Sequence, residues 1–282
     1  MVYNRAIKPT AQSKMLKKVA SLPGGGYWVF GLTQAWAGLF GLFLLLAILL
    51  AQYVALPWFG RYDWLFVFAV MAQVFMVLAR LQKPSEIPVV AIFYLLGLGI
   101  EVFQTSSMVQ AWSYPGTGSL AIGSAPLFTG FLYAAIGSYI LRSWRVLRVE
   151  FADYPRRRYA MLLAVAIYAS FFVVHFFYGL SYLLILVAVI FFWRTRASYA
   201  NGSKKRHLPF LLPVVSAPLL ILLGEKFAAF TQLWVYTSEP SLVSKFTTWF
   251  LLLLFSCIVV DLLRMVSARW ARPSKASDFR AW

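Results

Sequence analysis

Long apolar segments follow one another along most of this chain, and they constrain its fold more than any other feature. Most are close to the roughly 20 residues that a helix needs to cross a bilayer. The segments are Thr33–Tyr53, Tyr62–Leu81, Pro88–Met108, Ile122–Leu141, Tyr159–Phe177, Leu180–Trp193, Pro209–Gln232 and Phe246–Val266. We separate the fifth from the sixth at Gly179, because one helix over both would exceed the thickness of the hydrocarbon core. The pattern predicts an all-α polytopic membrane bundle of eight transmembrane helices.

The amino-acid composition excludes most other classes of protein. Apolar residues make up 61% of the chain and charged residues only 12%, about half the roughly 25% of a soluble domain. This balance excludes a soluble enzyme, a disordered chain and a secreted domain held by disulfides. The one cysteine, Cys257, lies inside the last apolar segment. The sequence has no cluster of metal-ligating residues, so we expect no metal and no cofactor.

The net charge of +17 indicates orientation. With the N-terminus in the cytoplasm, 23 of the 26 Lys and Arg lie in inside segments, counting Arg142 and Arg145 as part of the fourth loop. Only Arg61, Lys226 and Lys245 fall outside. This asymmetry follows the positive-inside rule, and the basic loops are too short for a nucleic-acid interface. We expect contact with the lipid bilayer, no nucleic-acid partner, and both termini in the cytoplasm of a multi-pass inner-membrane protein.

Two stretches of the chain resemble each other at an offset near 122 residues. One has Glu101 and then Trp112-Ser113-Tyr114, and the other has Glu225 and then Trp234-Val235-Tyr236. The offset covers four segments, so both copies keep one orientation, which predicts a 4+4 parallel internal repeat. The alternative is chance, since aromatic residues are common at membrane interfaces. The repeat divides the chain into a cytoplasmic arm (1–30), a first four-helix half (31–145), a basic loop (146–158), a second half (159–267) and a tail (268–282).

Ionisable side chains at membrane depth are costly, so each one marks a candidate site. Glu101, Glu225 and His175 fall in the outer half of the membrane, and we predict that they are catalytic. A carboxyl in apolar surroundings can hold a proton near neutral pH, and aromatic faces can stabilise a cation. The predicted substrate-binding residues are Gln104, Trp112, Tyr114, Tyr133, Gln232, Trp234 and Tyr236. The alternative is that the two glutamates hold neighbouring helices together, with Glu225 paired to Lys226 or His175.

Small residues form a stripe on the fourth apolar segment. Gly130, Ala134 and Ser138 recur at four-residue spacing, and Gly137 lies beside them. Small side chains at this spacing allow two helix backbones to approach closely. We expect a tight helix–helix contact along this face.

The stretch from Glu101 to Arg145 is distinctive enough to suggest a family. It contains Trp112-Ser113-Tyr114-Pro115, Pro126-Leu127-Phe128-x-Gly130-Phe131-x-Tyr133-Ala134 and Gly137-Ser138-Tyr139-Ile140-x-Arg142-x-Trp144-Arg145. The run resembles the bacterial membrane-protein family known as domain of unknown function 817, over about residues 85–265. The resemblance implies a bacterial integral membrane protein of this size and brings no activity with it. The family commonly has a Lys where this chain has Gln104.

A weaker similarity is to membrane carotenoid cyclases and hydratases. These enzymes also look like repeats that carry an intramembrane glutamate and a Trp-x-Tyr-like loop. The similarity implies acid/base chemistry on a long isoprenoid.

Three functions fit these features. The one that the sequence favours is a cofactor-independent enzyme, in which Glu101 protonates a lipophilic, isoprenoid-like substrate and Glu225 or His175 is the counter-base. The second is a proton-coupled transporter of a small solute, and the third is a non-catalytic pigment- or lipid-binding subunit of a membrane complex. The sequence leaves open a lipophilic small molecule, a membrane complex and a homo-oligomer as partners.

Overall fold

The chain is mostly helical. The computed structural model describes residues 25–53, 58, 60–116, 118–173, 177, 179–201 and 204–270. The helices in that part are α1 (Gly25–Ala37), α2 (Leu39–Leu50), α3 (Arg61–Leu78), α4 (Ile87–Gln104), α5 (Thr129–Val146), α6 (Arg157–Val173), α7 (Leu180–Phe192), α8 (Leu211–Phe230) and α9 (Leu242–Trp270). The short strands are β1 (Trp112–Ser113), β2 (Ala121–Ile122), β3 (Ala125–Pro126), β4 (Glu150–Ala152), β5 (Arg196–Asn201), β6 (Lys204–Pro209) and β7 (Val235–Tyr236).

Every predicted apolar segment contains at least one helix, which confirms the helical class. The strands were not predicted, and they pair in three small antiparallel sheets: β1 with β7, β2 with β3, and β4–β5–β6. All three lie in the connections between helices. The chain is therefore mostly helical rather than all-α.

The helices are shorter than eight membrane crossings require. Within the described ranges, three are long and apolar enough to cross a membrane: Arg61–Leu78, Pro84–Gln104 and Leu242–Met265. A fourth is added if Trp28–Ala37 and Leu39–Leu50, which meet at a bend of 68°, form one span. Helix α7 has 13 residues, or about 20 Å, against a core of about 30 Å. Helix length thus supports three or four spans and does not support the predicted eight.

The contacts between helix termini fix the direction of each helix. Arg61, at the start of α3, donates to the carbonyls of Thr231 (2.6 Å) and Gln232 (3.1 Å), just after α8. We call this end of the bundle, with loops 105–128 and 231–241, the carboxylate end. Glu86, just before α4, forms an ion pair with Arg145 in the last turn of α5. We call that opposite end, with the sheet β4–β5–β6, the basic end.

Successive helices alternate between these two ends. Helices α3, α5, α7 and α9 run toward the basic end, whereas α4, α6 and α8 run toward the carboxylate end. The bent pair α1–α2 also runs toward the carboxylate end, where Gln52 donates to the carbonyl of Phe230 (3.2 Å). The eight apolar segments therefore traverse the bundle in alternating directions.

The fourth apolar segment begins and ends later than predicted. Residues 121–126 form the β2–β3 hairpin, in which Gly123 has a φ of +60° that glycine adopts without strain. Helix α5 then runs from Thr129 to Val146 and includes Arg142 and Arg145. Our assignment of these two arginines to a loop was wrong, because no glycine or proline follows Leu141 to end the helix there.

Helices α4 and α5 pack closely through glycines. A Cβ at Gly130 would overlap Tyr94 of α4, and a Cβ at Gly137 would overlap Phe93. These contacts confirm the predicted tight face of the fourth segment. Gly97 of α4 provides the reciprocal space, since a Cβ there would overlap the side chain of Tyr133. This close approach fixes Tyr133 beside the last turns of α4.

Candidate functional site

The two Trp-x-Tyr segments pair with each other at the carboxylate end. Strands β1 and β7 are antiparallel, with Trp112 opposite Tyr236 and Ser113 opposite Val235. The rings of Trp112 and Tyr236 meet edge to face, with centroids 6.3 Å apart. The pairing joins the loop after α4 to the loop after α8 and brings together the two predicted carboxylate regions.

Glu101, in the last turn of α4, is buried and surrounded by hydrogen-bond donors. Its Oε2 accepts from the Trp112 indole N–H (3.0 Å) and from the Tyr114 hydroxyl (2.6 Å). Its Oε1 accepts from the Tyr133 hydroxyl of α5 (2.9 Å). An indole N–H can only donate, so Trp112 fixes Oε2 as an acceptor. Within the described residues, no cation forms an ion pair with Glu101.

The loop tyrosines of the two segments remain protonated donors. Burial raises the pKa of Tyr114 well above its usual value, and the nearby charge and hydrogen bond of Glu101 raise it further. Burial also raises the pKa of Tyr236, and the negative charge of Glu225 acts in the same direction. Both phenols therefore donate to a carboxylate throughout the physiological pH range.

Glu225, on α8, lies in a second cluster that contains a cation. Its Oε1 accepts from Tyr236 (3.2 Å) and from the Trp249 indole N–H (2.6 Å). Its Oε2 lies 2.9 Å from the Lys245 ammonium, and this pair is largely buried. The alternative of a pair with Lys226 is not what the structure shows, because Lys226 is exposed and Lys245 of α9 holds the carboxylate instead.

Three members of the second cluster were not among the predicted site residues. Lys245 and Trp249 lie one turn apart on α9, so they face α8 together. Lys245 also pairs with Glu239 of the preceding loop at 2.6 Å. The available signal was a Lys and a Trp four residues apart at the start of an apolar helix. We had counted Lys245 only as an outside positive charge.

The other predicted site residues make different contacts. Gln104 donates through Nε2 to the main-chain carbonyl of Phe171 on α6 (2.7 Å). Gln232 is exposed. Trp234 packs against the apolar cluster around Leu233, and its side chain also interacts with Tyr236. His175 lies outside the described residues. From the predicted set, the structure therefore brings together Glu101, Trp112, Tyr114, Tyr133, Glu225, Trp234 and Tyr236.

Two open cavities lie at the basic end. One of about 470 Å³ is lined by Lys83, Arg145 and Arg148, and another of about 640 Å³ by Arg156 and Arg157. They share Val149, Glu150 and Arg264 as lining residues. Among the residues that the structure describes, no group of three His, Cys, Asp or Glu could hold a metal ion.

Comparison with known proteins identifies the family of the chain. The family described as "Protein of unknown function (DUF817)" matches residues 26–257. The chain is also 33% identical to "Uncharacterized protein YoaT" of Bacillus subtilis (strain 168) over 252 residues, which are 88% of this chain and 94% of that protein. No solved structure matches. The chain therefore belongs to the DUF817 family, and these matches do not support the weaker similarity to carotenoid enzymes.

Proposed function

We propose that this member of the DUF817 family is a proton-coupled carrier of a small solute, with Glu101 and Glu225 as its proton-handling groups. The proposal rests on an ion-pair chain that runs from the protein surface to Glu225. It also rests on the ring contact of Tyr236 with Trp112, which joins a hydrogen-bond partner of Glu225 to one of Glu101. Intramembrane carboxylates connected in this way are typical of proton pathways in transporters.

The surface part of these contacts is the ion-pair chain. Glu239, whose side chain is 70% exposed, lies 2.6 Å from the Lys245 ammonium. Lys245 in turn lies 2.9 Å from Glu225, and these two side chains are only 11% and 7% exposed. A proton bound by Glu225 would remove the charge that holds Lys245 and leave the ammonium to Glu239. The pair thus has two arrangements that differ in charge, as a coupling element needs.

The deeper part of these contacts connects the two carboxylates. Tyr236 donates to Glu225, and Tyr133 donates to Glu101. The Trp112 ring also contacts Tyr236 while its N–H donates to Glu101. A change in charge at one carboxylate would therefore alter a side chain that touches the other.

The proposal includes a topology. We infer that the eight apolar segments cross the bacterial inner membrane, with both termini in the cytoplasm and the carboxylate end outside. The alternating directions of the helices and the positive-inside asymmetry support this arrangement. Short helices such as α7 would be accommodated by a locally thinner bilayer.

We infer that the two halves are a 4+4 repeat related by a two-fold axis along the membrane normal. The register of β1 and β7 supports this, because Ser113 and Val235 are opposite each other and hold the same place in the two Trp-x-Tyr segments. The halves have diverged, since Glu101 binds the Trp112 of its own loop whereas Glu225 binds Trp249. Paired halves of this kind suit alternating access.

Flux measurements in proteoliposomes test the proposal. A pH-sensitive dye inside the vesicles would report proton movement when acetate, succinate, alanine, glucose or putrescine is added outside. We expect at least one of these probes to acidify the vesicles faster than in protein-free liposomes. We expect Glu101→Gln to abolish this acidification, because the glutamine keeps the shape of the side chain and cannot exchange a proton.

Glu150→Gln is the matched control. Glu150 is exposed at the basic end, where it pairs only with Lys205, so its loss should leave flux unchanged. Wild-type proton flux in the Glu101→Gln protein would overturn the proposal. Solute flux that ignores an imposed pH gradient would also overturn it.

An acid/base enzyme is a second candidate, favoured by the aromatic walls around Glu101. Trp112, Tyr114 and Tyr133 surround the carboxyl and could stabilise a cation formed on a lipophilic substrate. Against this function, the two cavities described above lie at the basic end and are not lined by Glu101. Incubation with isoprenoid lipids in deuterated water distinguishes the two, since only the enzyme would incorporate deuterium at carbon in a Glu101-dependent way.

A further inference from the structure

A second charged group lies deep in the bundle, away from the carboxylates. Arg142 of α5 is fully buried, and none of its three guanidinium nitrogens has a hydrogen-bond partner among the described residues. Its cation lies 5.8 Å from the centre of the Trp36 ring. No described acidic side chain forms an ion pair with it. A buried charge without a counter-ion is strongly unfavourable, so an anion bound beside Arg142 would stabilise it.

Other unpaired polar groups lie at the same level. The hydroxyl of Ser138, one turn before Arg142, is buried and has no partner in the described part of the chain, and the same holds for both amide atoms of Gln73 on α3. Helices α3 and α5 run in the same direction, and their Phe66 and Phe131 rings are 5.8 Å apart. Gln73 lies seven residues after Phe66, and Ser138 lies seven residues after Phe131, which is two helical turns in each case. Gln73 and Ser138 therefore lie on the same faces of α3 and α5 as these two rings.

The bend between α1 and α2 lies beside this group. Trp36 is in the last turn of α1, and a Cβ on Gly38 at the bend would lie 3.8 Å from the ring of Tyr139 on α5. Helix α2 starts at Leu39, so its N-terminus, with its partial positive charge, is at the same place. Transporters with broken helices direct such N-termini at anionic groups of their substrates.

From this juxtaposition we infer that Arg142, Ser138 and the bend between α1 and α2 form an oxyanion-binding site, which takes the carboxylate or phosphate of the carried solute. A guanidinium donates two parallel hydrogen bonds to either group, and the Ser138 hydroxyl adds a third donor. Arg142 is nine residues from Tyr133 along α5, so the site lies about 14 Å from the carboxylate network. Only the identification of the anion as the solute rests on the proposed carrier function.

Thermal unfolding of the detergent-solubilised protein tests the site without transport. Acetate, succinate and inorganic phosphate at millimolar concentration are the probes, with sodium chloride at equal ionic strength as the salt control. We expect at least one oxyanion to raise the Tm of the wild type and to have no effect on Arg142→Met. Without a ligand, Arg142→Met should unfold at the wild-type Tm or higher, because it removes an uncompensated buried charge.

Two further variants make the result specific. Arg142→Lys keeps the charge but not the planar fork, so we expect at least about tenfold weaker oxyanion binding. Arg158→Met is the matched control: Arg158 is also stacked on a ring, that of Tyr159, but it is exposed. Its ligand-dependent shift should equal that of the wild type. If Arg142→Met fails to fold, Arg142→Lys alone decides, and wild-type binding by it would overturn the site.

An experiment with lipids distinguishes the two sources of an oxyanion, which are a free small anion and a lipid headgroup. Native mass spectrometry after exchange into phosphatidylglycerol or phosphatidylcholine would show whether an anionic lipid is retained. One result is that the wild type retains phosphatidylglycerol while Arg142→Met does not, with no response of either to the small anions. This result would support the site and identify its ligand as a lipid headgroup. An oxyanion response that Arg142→Met shares, or no response to any probe, would overturn the site. Arg142-dependent binding without proton-coupled flux would overturn only the carrier function.

Discussion

Removal of Lys245 should expose how strongly the second cluster depends on its buried ion pair. In Lys245→Met the Glu225 carboxylate stays buried and loses its only described cationic partner, while Tyr236 and Trp249 continue to donate to it. Breaking a buried pair costs about 3 to 5 kcal/mol, and the two remaining donors place this case at the lower limit. A loss of about 3 kcal/mol lowers the folding equilibrium constant roughly a hundredfold.

The double variant Glu225→Gln/Lys245→Met separates the ion pair from the packing of the two side chains. It leaves neither charge of the pair buried, so it should lie about 1 kcal/mol from the wild type. Glu225→Gln alone leaves Lys245 paired with Glu239 and should cost little, so the coupling between the two sites should be about 2 kcal/mol. Equilibrium unfolding in mixed micelles with increasing dodecyl sulfate, followed by tryptophan fluorescence, measures all four proteins of the cycle. Lys205→Met is the control, because the Lys205–Glu150 pair is exposed on both sides and should contribute nothing measurable.

Two results would refute this reasoning. The first is that Lys245→Met unfolds at the same detergent fraction as the wild type, which would mean that Glu225 needs no cation. The second is that the double variant loses the sum of the two single effects. The carboxylate and the ammonium would then contribute independently.

Three other predictions follow from the contacts of Glu101 and of the loop that follows α4. Gly97→Ala should cost about 1 to 3 kcal/mol by displacing Tyr133 from Glu101, whereas Gly31→Ala, where a Cβ meets nothing within 4 Å, should cost far less in the same unfolding assay. Asp63→Ala should increase hydrogen exchange at the start of the β2–β3 hairpin, because the Asp63 carboxylate accepts from the amides of Ser119 and Leu120 at 2.8 and 2.7 Å. Unchanged exchange would argue against a role of these two hydrogen bonds in holding the loop. Tyr114 should ionise later than an exposed tyrosine in an alkaline ultraviolet titration, because its folded-state pKa is raised; its contribution to stability is complete below the unfolded pKa near 10 and is lost as the pH rises through the higher folded value. Tyr236 also ionises late, so Tyr114→Phe should reduce the late step by the absorbance of one tyrosine. An identical titration curve for that variant would contradict the assignment.

The carboxylate end shows which features of the site sequence patterns can predict and which they cannot. Both glutamates and both Trp-x-Tyr segments were identified from their spacing, because a carboxylate in an apolar segment is costly and therefore conspicuous. The pairing of β1 with β7 was not identified, since two-residue strands in polar loops have no periodicity to detect. The partner of Glu225 was missed for a related reason. Lys245 is 20 residues away on another helix, and only packing brings it close.

Arg142 shows the opposite error. A charged residue at the end of an apolar segment usually indicates the start of a loop. The positive-inside count therefore placed Arg142 in the fourth loop. The helix continues to Val146 and packs against α1, so the side chain is buried. Sequence hydropathy averages over neighbours along the chain and cannot detect a neighbour from another helix.

The sequence by itself determined that this chain forms apolar helices with short polar connections, because hydropathy and helix formation act over local stretches of chain. It also determined which acids stand out at membrane depth. The tertiary structure decided how far each helix extends, which side chains meet those acids, and that Arg142 lies unpaired inside the bundle. These features depend on contacts between residues far apart in the chain, where the free energy of a buried charge is set by whatever packs against it.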